Sequence, residues 1–146
     1  MILTESGANP LCHGGSDGTA TASATGGTGS YTYAWSSGSG DATATGLLAT
    51  SYTITVTDIN GCTGTNTITL TNPSDLVWSA APSMDSVSCH GGMDGVVKAT
   101  ASGGTGALSY AWEDGDGNSV SDTTMLTAGT YHVLVTDGNG CELTGN

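Results

Sequence analysis

The chain has 146 residues, with one lysine, no arginine and 13 aspartates and glutamates, which gives a formal net charge of −12 with neutral histidines. One lysine cannot form the basic patch that nucleic acids or anionic lipids require, and no run of about 18 apolar residues is present to span a bilayer. Glycine, threonine and serine together make up about 45% of the chain, whereas Glu, Gln, Lys and Arg are scarce. This composition disfavours helices and favours strands joined by turns.

An internal repeat organises the sequence. Four segments of the first half return in the second half, roughly 77–79 residues later. They are CHGGSDG at 12–18 and CHGGMDG at 89–95, GGTG at 26–29 and at 103–106, YAW at 33–35 and at 110–112, and TDINGC at 57–62 and TDGNGC at 136–141. Pro73 and its polar neighbours predict the boundary between the copies, so the expected domains are residues 1–73 and 74–146.

The second copy ends earlier than the first. An alternating strand at 63–70 follows Cys62, whereas only five residues follow Cys141. We therefore expect the last strand of repeat 2 to be truncated and the chain to be an excerpt of a longer array. In a second interpretation, a strand of a neighbouring molecule completes repeat 2 by strand addition. The expected partners are accordingly neighbouring repeats of the same chain or copies of the same protein.

Strict alternation of apolar and polar residues predicts half-buried strands. At 52–57, one face carries Tyr, Ile and Val, and the other face carries three threonines. Small alanines at 20, 22 and 24 leave room for a large aromatic side chain such as Trp35. The predicted core residues of the two repeats are Trp35, Tyr52, Ile54, Val56, Trp112, Tyr131, Val133 and Val135. Six or seven short strands in under 80 residues predict an all-β protein of two tandem immunoglobulin-like β-sandwich repeats.

Each repeat contributes two cysteines. A unit this small buries a limited core, so a covalent staple is expected. Four cysteines allow three connectivities, and the repeat symmetry favours Cys12 with Cys62 and Cys89 with Cys141. Counting by twos along the following strand also puts Cys62 on the inward face. Buried free thiols and a metal-binding pair are the alternatives.

The motifs together resemble the SprB repeat, which occurs in very large surface proteins of Bacteroidota. The shared pattern is Cys-His-Gly-Gly-x-Asp-Gly, then Gly-Gly-Thr-Gly, then Tyr-x-Trp, then Tyr-x-Val/Ile-x-Val-Thr-Asp-x-Asn-Gly-Cys, and it covers nearly the whole chain, twice. The resemblance implies an extracellular module on a bacterial cell surface, a stalk or an adhesin. It also implies export by type IX secretion and, in the type member, a role in gliding motility.

An acidic segment at 114–118 resembles the first half of a calcium loop. Asp114, Asp116 and Asn118 alternate with glycines, as oxygen ligands of a hard cation do. The bidentate glutamate expected further on is missing, and repeat 1 offers only Asp41 in this place. An acidic hairpin loop without metal is the interpretation that we favour, and calcium in repeat 2 is the alternative. No other cofactor is expected.

Four aspartates lie beside glycines or before an Asn-Gly pair, a setting in which the carboxylate bonds its own backbone turn. They are Asp17, Asp58, Asp94 and Asp137. His13 and His90 each follow a cysteine, but two further zinc ligands are not evident nearby. His132 is expected to be outward and solvated. No Ser-His-Asp, paired-carboxylate or phosphate-loop arrangement of motif quality occurs, so we expect no catalytic residues and no enzyme.

These observations favour a non-catalytic structural repeat module of a large bacterial cell-surface adhesin or extracellular filament. Outward threonines at 53–57 and 63–69 support an alternative function, a glycan- or surface-binding module. A third function class is a set of accessory repeats in a secreted enzyme.

Overall fold

The computed structural model describes residues 1–121 and 123–146. The chain divides into two compact units, Met1–Pro73 and Ser74–Asn146. Every regular element in the described residues is a β-strand, which confirms the all-β prediction. Within the same residues, no helix is long and apolar enough to cross a membrane.

Unit 1 has six strands in two antiparallel three-stranded sheets. They are β1 (Ile2–Ala8), β2 (Gly18–Thr25), β3 (Tyr31–Trp35), β4 (Thr43–Leu47), β5 (Ser51–Asp58) and β6 (Thr63–Thr69). One sheet has the strand order β1-β2-β4 and the other β3-β5-β6. The core lies between the two inward faces, as in an immunoglobulin-like sandwich.

The alternation of unit 1 decides which side chains form that core. Ala20 and Ala22 of β2 face Trp35 of β3, and Ile54 and Val56 of β5 are fully buried. The small alanine side chains leave room for the indole ring of Trp35. The indole Nε1 donates a hydrogen bond to the backbone oxygen of residue 41 at 3.0 Å. All four of the predicted core residues of unit 1 are buried.

Unit 2 also has two antiparallel sheets, but its strands are distributed differently between them. The strands are β7 (Val77–Asp85), β8 (Val96–Ser102), β9 (Ser109–Asp114), β10 (Ser119–Val120), β11 (Tyr131–Thr136) and β12 (Glu142–Gly145). β7 pairs with β8, and the second sheet has the order β10-β9-β11-β12. The last strand has four residues where β6 has seven.

The core of unit 2 uses the equivalent positions. Val97 of β8, Trp112 of β9, and Val133 and Val135 of β11 are buried. Tyr131, the remaining predicted core residue, is buried at the start of β11. Lys98, Thr100, Glu113 and His132 are outward residues of the same strands, and the buried and outward positions alternate as in unit 1.

In each unit, a tyrosine at the start of the central strand forms a hydrogen bond to the preceding loop. The hydroxyl of Tyr52 donates to the backbone oxygen of Leu48 at 3.1 Å, and that of Tyr131 donates to Thr127 at 2.9 Å. Both tyrosines therefore bond back to the backbone four residues upstream. This geometry resembles the tyrosine corner of immunoglobulin-like sandwiches.

Candidate functional site

A single carboxylate organises one end of unit 1. Asp58 ends β5, and its Oδ1 accepts hydrogen bonds from the backbone N–H groups of Asn60 at 3.0 Å and Cys62 at 2.9 Å. Its Oδ2 accepts a third from the backbone N–H of Thr28 at 3.1 Å. The carboxylate is therefore used on both oxygens to close the β5–β6 turn and to hold a distant loop against it.

The same arrangement recurs in unit 2. Asp137 Oδ1 accepts from the backbone N–H groups of Asn139 and Cys141, each at 2.9 Å, and Oδ2 accepts from Thr105 at 2.7 Å. A second hydrogen bond joins the same two segments, because the Thr105 carbonyl accepts the N–H of Gly138 at 2.7 Å. We call these two clusters, Asp58 and Asp137 with their N–H donors, the carboxylate anchors.

The donors stabilise the ionised form of both anchors. The backbone N–H of Cys62 above all, with those of Thr28 and Asn60, holds the pKa of Asp58 below its usual value despite the opposing effect of desolvation. The Cys141 N–H, followed by that of Thr105, lowers the pKa of Asp137 in the same way. Both carboxylates are therefore charged hydrogen-bond acceptors at neutral pH.

The Gly-Gly-Thr-Gly loops need glycine because they approach the anchors closely. A Cβ on Gly27 would lie 3.2 Å from Asp58 Oδ2, and one on Gly104 would lie 2.8 Å from Asp137 Oδ2. Both glycines also have positive φ, 125° and 64°. This explains why the Gly-Gly-Thr-Gly and Thr-Asp-x-Asn-Gly-Cys motifs occur together in both repeats.

Two further predicted aspartates close the loops of the Cys-His-Gly-Gly segments. Asp17 accepts the backbone N–H of Leu11 at 3.1 Å, and Asp94 accepts that of Ser88 at 2.9 Å. Hydrogen bonds from the side chain and the backbone of Ser88 lower the pKa of Asp94. These carboxylates therefore have the turn-forming contacts that the sequence predicts for them.

The acidic loop of unit 2 is a hairpin turn between β9 and β10. Asp114 Oδ1 accepts the backbone N–H groups of Asp116 at 3.0 Å and Asn118 at 2.9 Å, and both of its oxygens contact the Asn118 side-chain amide. The Asn118 side chain, followed by its backbone N–H, lowers the pKa of Asp114. In the described residues, no group of three His, Cys, Asp or Glu side chains is arranged to hold a metal ion. The metal-free hairpin stays the favoured prediction, with calcium binding by Asp114, Asp116 and Asn118 as the alternative.

The four cysteines do not form the predicted pairs. Cys62 and Cys89 carry exposed free thiols, whereas Cys12 and Cys141 are disulfide-bonded. The predicted bridges of Cys12 with Cys62 and of Cys89 with Cys141 are therefore wrong. The expected inward position of Cys62 is also wrong, because β6 begins at the next residue and the alternation does not extend back into the turn.

Distance explains why the predicted bridge of unit 1 does not form. Cys12 lies at the end of unit 1 where the backbone N–H of Gly14 donates to Asn72 Oδ1 at 3.1 Å, after β6 has ended. Cys62 lies at the opposite end, where β6 begins. Seven residues of strand separate the two ends by about 20 Å, whereas a disulfide needs Cα atoms within about 7 Å.

All three histidines are exposed. His132 is exposed on β11, as predicted, and its Nδ1 lies 2.9 Å from Asn146 Oδ1. His13 and His90 are exposed in the Cys-His-Gly-Gly loops. Their side chains therefore lie at the surface of the loops that Asp17 and Asp94 close.

A threonine face covers the outside of the β5–β6 pair. Thr53 lies opposite Thr67, Thr55 opposite Thr65, and Thr57 opposite Thr63. The Oγ1 atoms of Thr53 and Thr67 are 3.3 Å apart. Unit 2 does not repeat this face, because His132, Leu134 and Glu142 stand at equivalent outward positions.

An apolar groove opens on unit 2. It has a volume of about 240 Å³, and its lining includes Met84, Val97, Trp112 and Tyr131. In unit 1, Leu70, the residue after β6, is 3% exposed and belongs to the core. Sequence reasoning missed the groove.

The comparisons agree with this repeated architecture. The model of the SprB repeat matches residues 4–40 and 82–117, which is half of the chain. The chain belongs to the SprB repeat family. The two SprB matches cover the Cys-His-Gly-Gly and Gly-Gly-Thr-Gly segments of both units, and SprB repeats occur in cell-surface proteins. A comparison with curated proteins gives no match.

Proposed function

We propose that this chain is a non-catalytic stalk module of a large bacterial cell-surface adhesin or extracellular filament. The observation that carries the proposal is the duplicated carboxylate anchor, in which Asp58 and Asp137 each use both oxygens to fasten a turn and a loop. A carboxylate so engaged is a structural acceptor, and it has no unoccupied oxygen aimed at a substrate. Repetition of one such unit suits a spacer whose length is set by the number of repeats.

Membership of the SprB repeat family supports an extracellular position. The acidic surface supports it too, because a net charge of −12 keeps neighbouring copies apart in solution. The partners that we propose are further units of the same kind, in the same chain or in other copies. One contact of this kind is strand addition to unit 2, where an apolar groove lies beside Trp112 and Tyr131.

Labelling of intact cells tests the proposal. Antibodies raised against residues 1–146 are applied to unpermeabilised cells that produce the parent protein, with a cytoplasmic protein as the control. We expect surface labelling and loss of the signal after brief external protease treatment. Labelling only after permeabilisation would contradict the proposal. Inserting a second copy of 1–146 into the parent protein should move a distal label outward without abolishing secretion.

The threonine face supports a second candidate, binding of a glycan or another hydroxyl-rich surface. Its rows pair directly across β5 and β6, so their hydroxyls form a regular array. Retention of the chain on a glycan array that is lost in Thr55→Glu and Thr65→Glu would support this function. Ser6→Glu, on the other sheet of unit 1, is the matched control. Equal retention of all variants would contradict a role for this face.

A further inference from the structure

Each unit carries its two cysteines at opposite ends. In unit 1, Cys12 lies at the end where the chain leaves the unit, since Asn72 contacts the Cys12 loop through Gly14. Cys62 lies at the other end, beside the Asp58 anchor. We call Cys12 and its repeat equivalent Cys89 the exit cysteines, because they mark the end from which the chain leaves.

In unit 2, Cys141 lies at the end where the chain enters the unit. Ser74, the first residue of unit 2, marks this end, and its backbone oxygen accepts the N–H of Gly104 at 3.1 Å. Thr105 of the same loop donates to the Asp137 anchor, to which the Cys141 N–H also donates. We call Cys141 and its repeat equivalent Cys62 the entrance cysteines.

Both cysteine positions of the repeat form disulfides. Cys12, an exit cysteine, and Cys141, an entrance cysteine, are disulfide-bonded and half-buried. Cys89 and Cys62, the equivalents in the other unit, are free and exposed. The same local geometry surrounds each pair of equivalents: the backbone N–H of Gly15 donates to Cys12 and that of Gly92 to Cys89, at 2.9 and 2.8 Å.

We propose that Cys89 and Cys62 are linkage sites through which copies of this chain join head to tail. The exit cysteine Cys89 of one copy bonds the entrance cysteine Cys62 of a second copy. The proposal rests on the proposed function as an extracellular repeat, since disulfides persist in oxidising compartments. A heterologous contact of this kind uses a different surface on each copy, so it adds further copies and gives open chains where the rotation does not close a ring.

The bond forms by thiol–disulfide exchange with a disulfide oxidant such as glutathione disulfide. The thiolate of Cys89 attacks the oxidant, forms a mixed disulfide and releases one glutathione thiolate. The thiolate of Cys62 from the second copy then attacks the cysteine sulfur of the mixed disulfide and releases the second glutathione thiolate. Two protein thiols are oxidised, two electrons reduce the oxidant, and the two protons pass to the released thiolates.

The test uses the full chain in a glutathione redox buffer at rising protein concentration. Products are separated without reductant, and their cross-linked peptides are identified by mass spectrometry after proteolysis. We expect a ladder of oligomers that reductant abolishes, with Cys89-to-Cys62 links in several-fold excess over the two symmetric links combined. Random pairing of two exposed thiols would make these classes about equal, and that result would overturn the proposal.

Single variants sharpen the outcome. Cys62→Ser alone and Cys89→Ser alone should remain largely monomeric, whereas their equimolar mixture should form dimers and stop there. Circular dichroism of each variant shows whether it is folded. A Cys62–Cys89 bond within one chain, or the absence of any ladder, would also overturn the linkage. Surface labelling of intact cells is independent of this result, so failure of the linkage and failure of the proposed function are distinguishable.

Discussion

Asp58 accepts the backbone N–H of Cys62 at 2.9 Å, and the repeat equivalents Asp137 and Cys141 are joined at the same distance. The bond spans a turn whose last residue before the cysteine is a glycine with positive φ, 83° at Gly61. Among the loop residues 59–61, only Gly61 has a positive φ, so the turn is a three-residue hairpin loop with a bulge. The cysteine of the motif is thereby fixed at the turn, outside the following strand.

Removing one anchor should destabilise its own unit. In Asp58→Asn, one carboxylate oxygen becomes an amide that cannot accept the N–H of Thr28 or Cys62, so a backbone donor loses its partner. We expect the Tm of unit 1 to fall by several degrees in scanning calorimetry. Asp41→Asn, in an exposed loop of the same unit, is the control and should leave the Tm unchanged. Equal effects of the two substitutions would mean that the anchor contributes nothing.

Acid should destabilise the protein in a defined range. The pKa values of Asp58, Asp94, Asp114 and Asp137 are lowered in the folded state. A lowered folded-state pKa contributes stability that is fully present above the unfolded value, about 3.8 to 3.9, and is lost as the pH falls through the folded-state pKa. The Tm should therefore be nearly constant from pH 7 to pH 5 and fall below pH 4.

The anchors should account for part of this acid dependence. In the double variant Asp58→Asn and Asp137→Asn, two of the four contributing carboxylates are absent. The decrease of Tm between pH 5 and pH 3 should then be smaller than in the parent chain. An unchanged acid dependence would show that other carboxylates cause it.

Close approach of the loop to the anchor should make Gly104 intolerant of a side chain. Gly104→Ala combines positive φ with a Cβ only 2.8 Å from Asp137 Oδ2. Gly117→Ala has a similar φ, 82°, but nothing within 4 Å of its Cβ, so it isolates the backbone strain of about 1–2 kcal/mol. Chemical denaturation should show a clearly larger loss for Gly104→Ala. Losses of equal size would contradict the close approach.

Calcium should not stabilise unit 2 if the acidic loop is a hairpin turn. Asp114 already accepts two backbone N–H groups and the amide of Asn118. Millimolar calcium chloride should leave the Tm where an equal ionic strength of sodium chloride leaves it. A calcium-specific increase that disappears in Asp116→Asn would establish the metal site instead.

Local patterns were sufficient for most of the fold. Alternation at 52–57 identified Ile54 and Val56, which are fully buried, and the Asn-Gly pair marked the turn before β6. The repeat located the boundary region near Pro73, where the two units divide. These features depend on neighbours in sequence, which is why periodicity and turn chemistry reveal them.

The cysteine pairing and the long-range contacts were not accessible in this way. Repeat symmetry favoured bridges within a unit, but pairing depends on which ends of the strands carry Cys12 and Cys62, and β6 keeps these apart. The contact of Thr28 with Asp58 joins residues 30 positions apart. No local pattern encodes that contact, although the recurrence of both motifs in both repeats hints at it.

Single-molecule force spectroscopy tests most directly whether the chain is a structural repeat module. The chain is stretched between its ends in the presence of reductant, so that only the two folded units resist extension. We expect two unfolding events, each lengthening the chain by roughly 20 nm, the extended length of about 73 residues less the size of the folded unit. Asp58→Asn should lower the force of one event only. Extension without any force peak would contradict a stalk made of two mechanically resistant units.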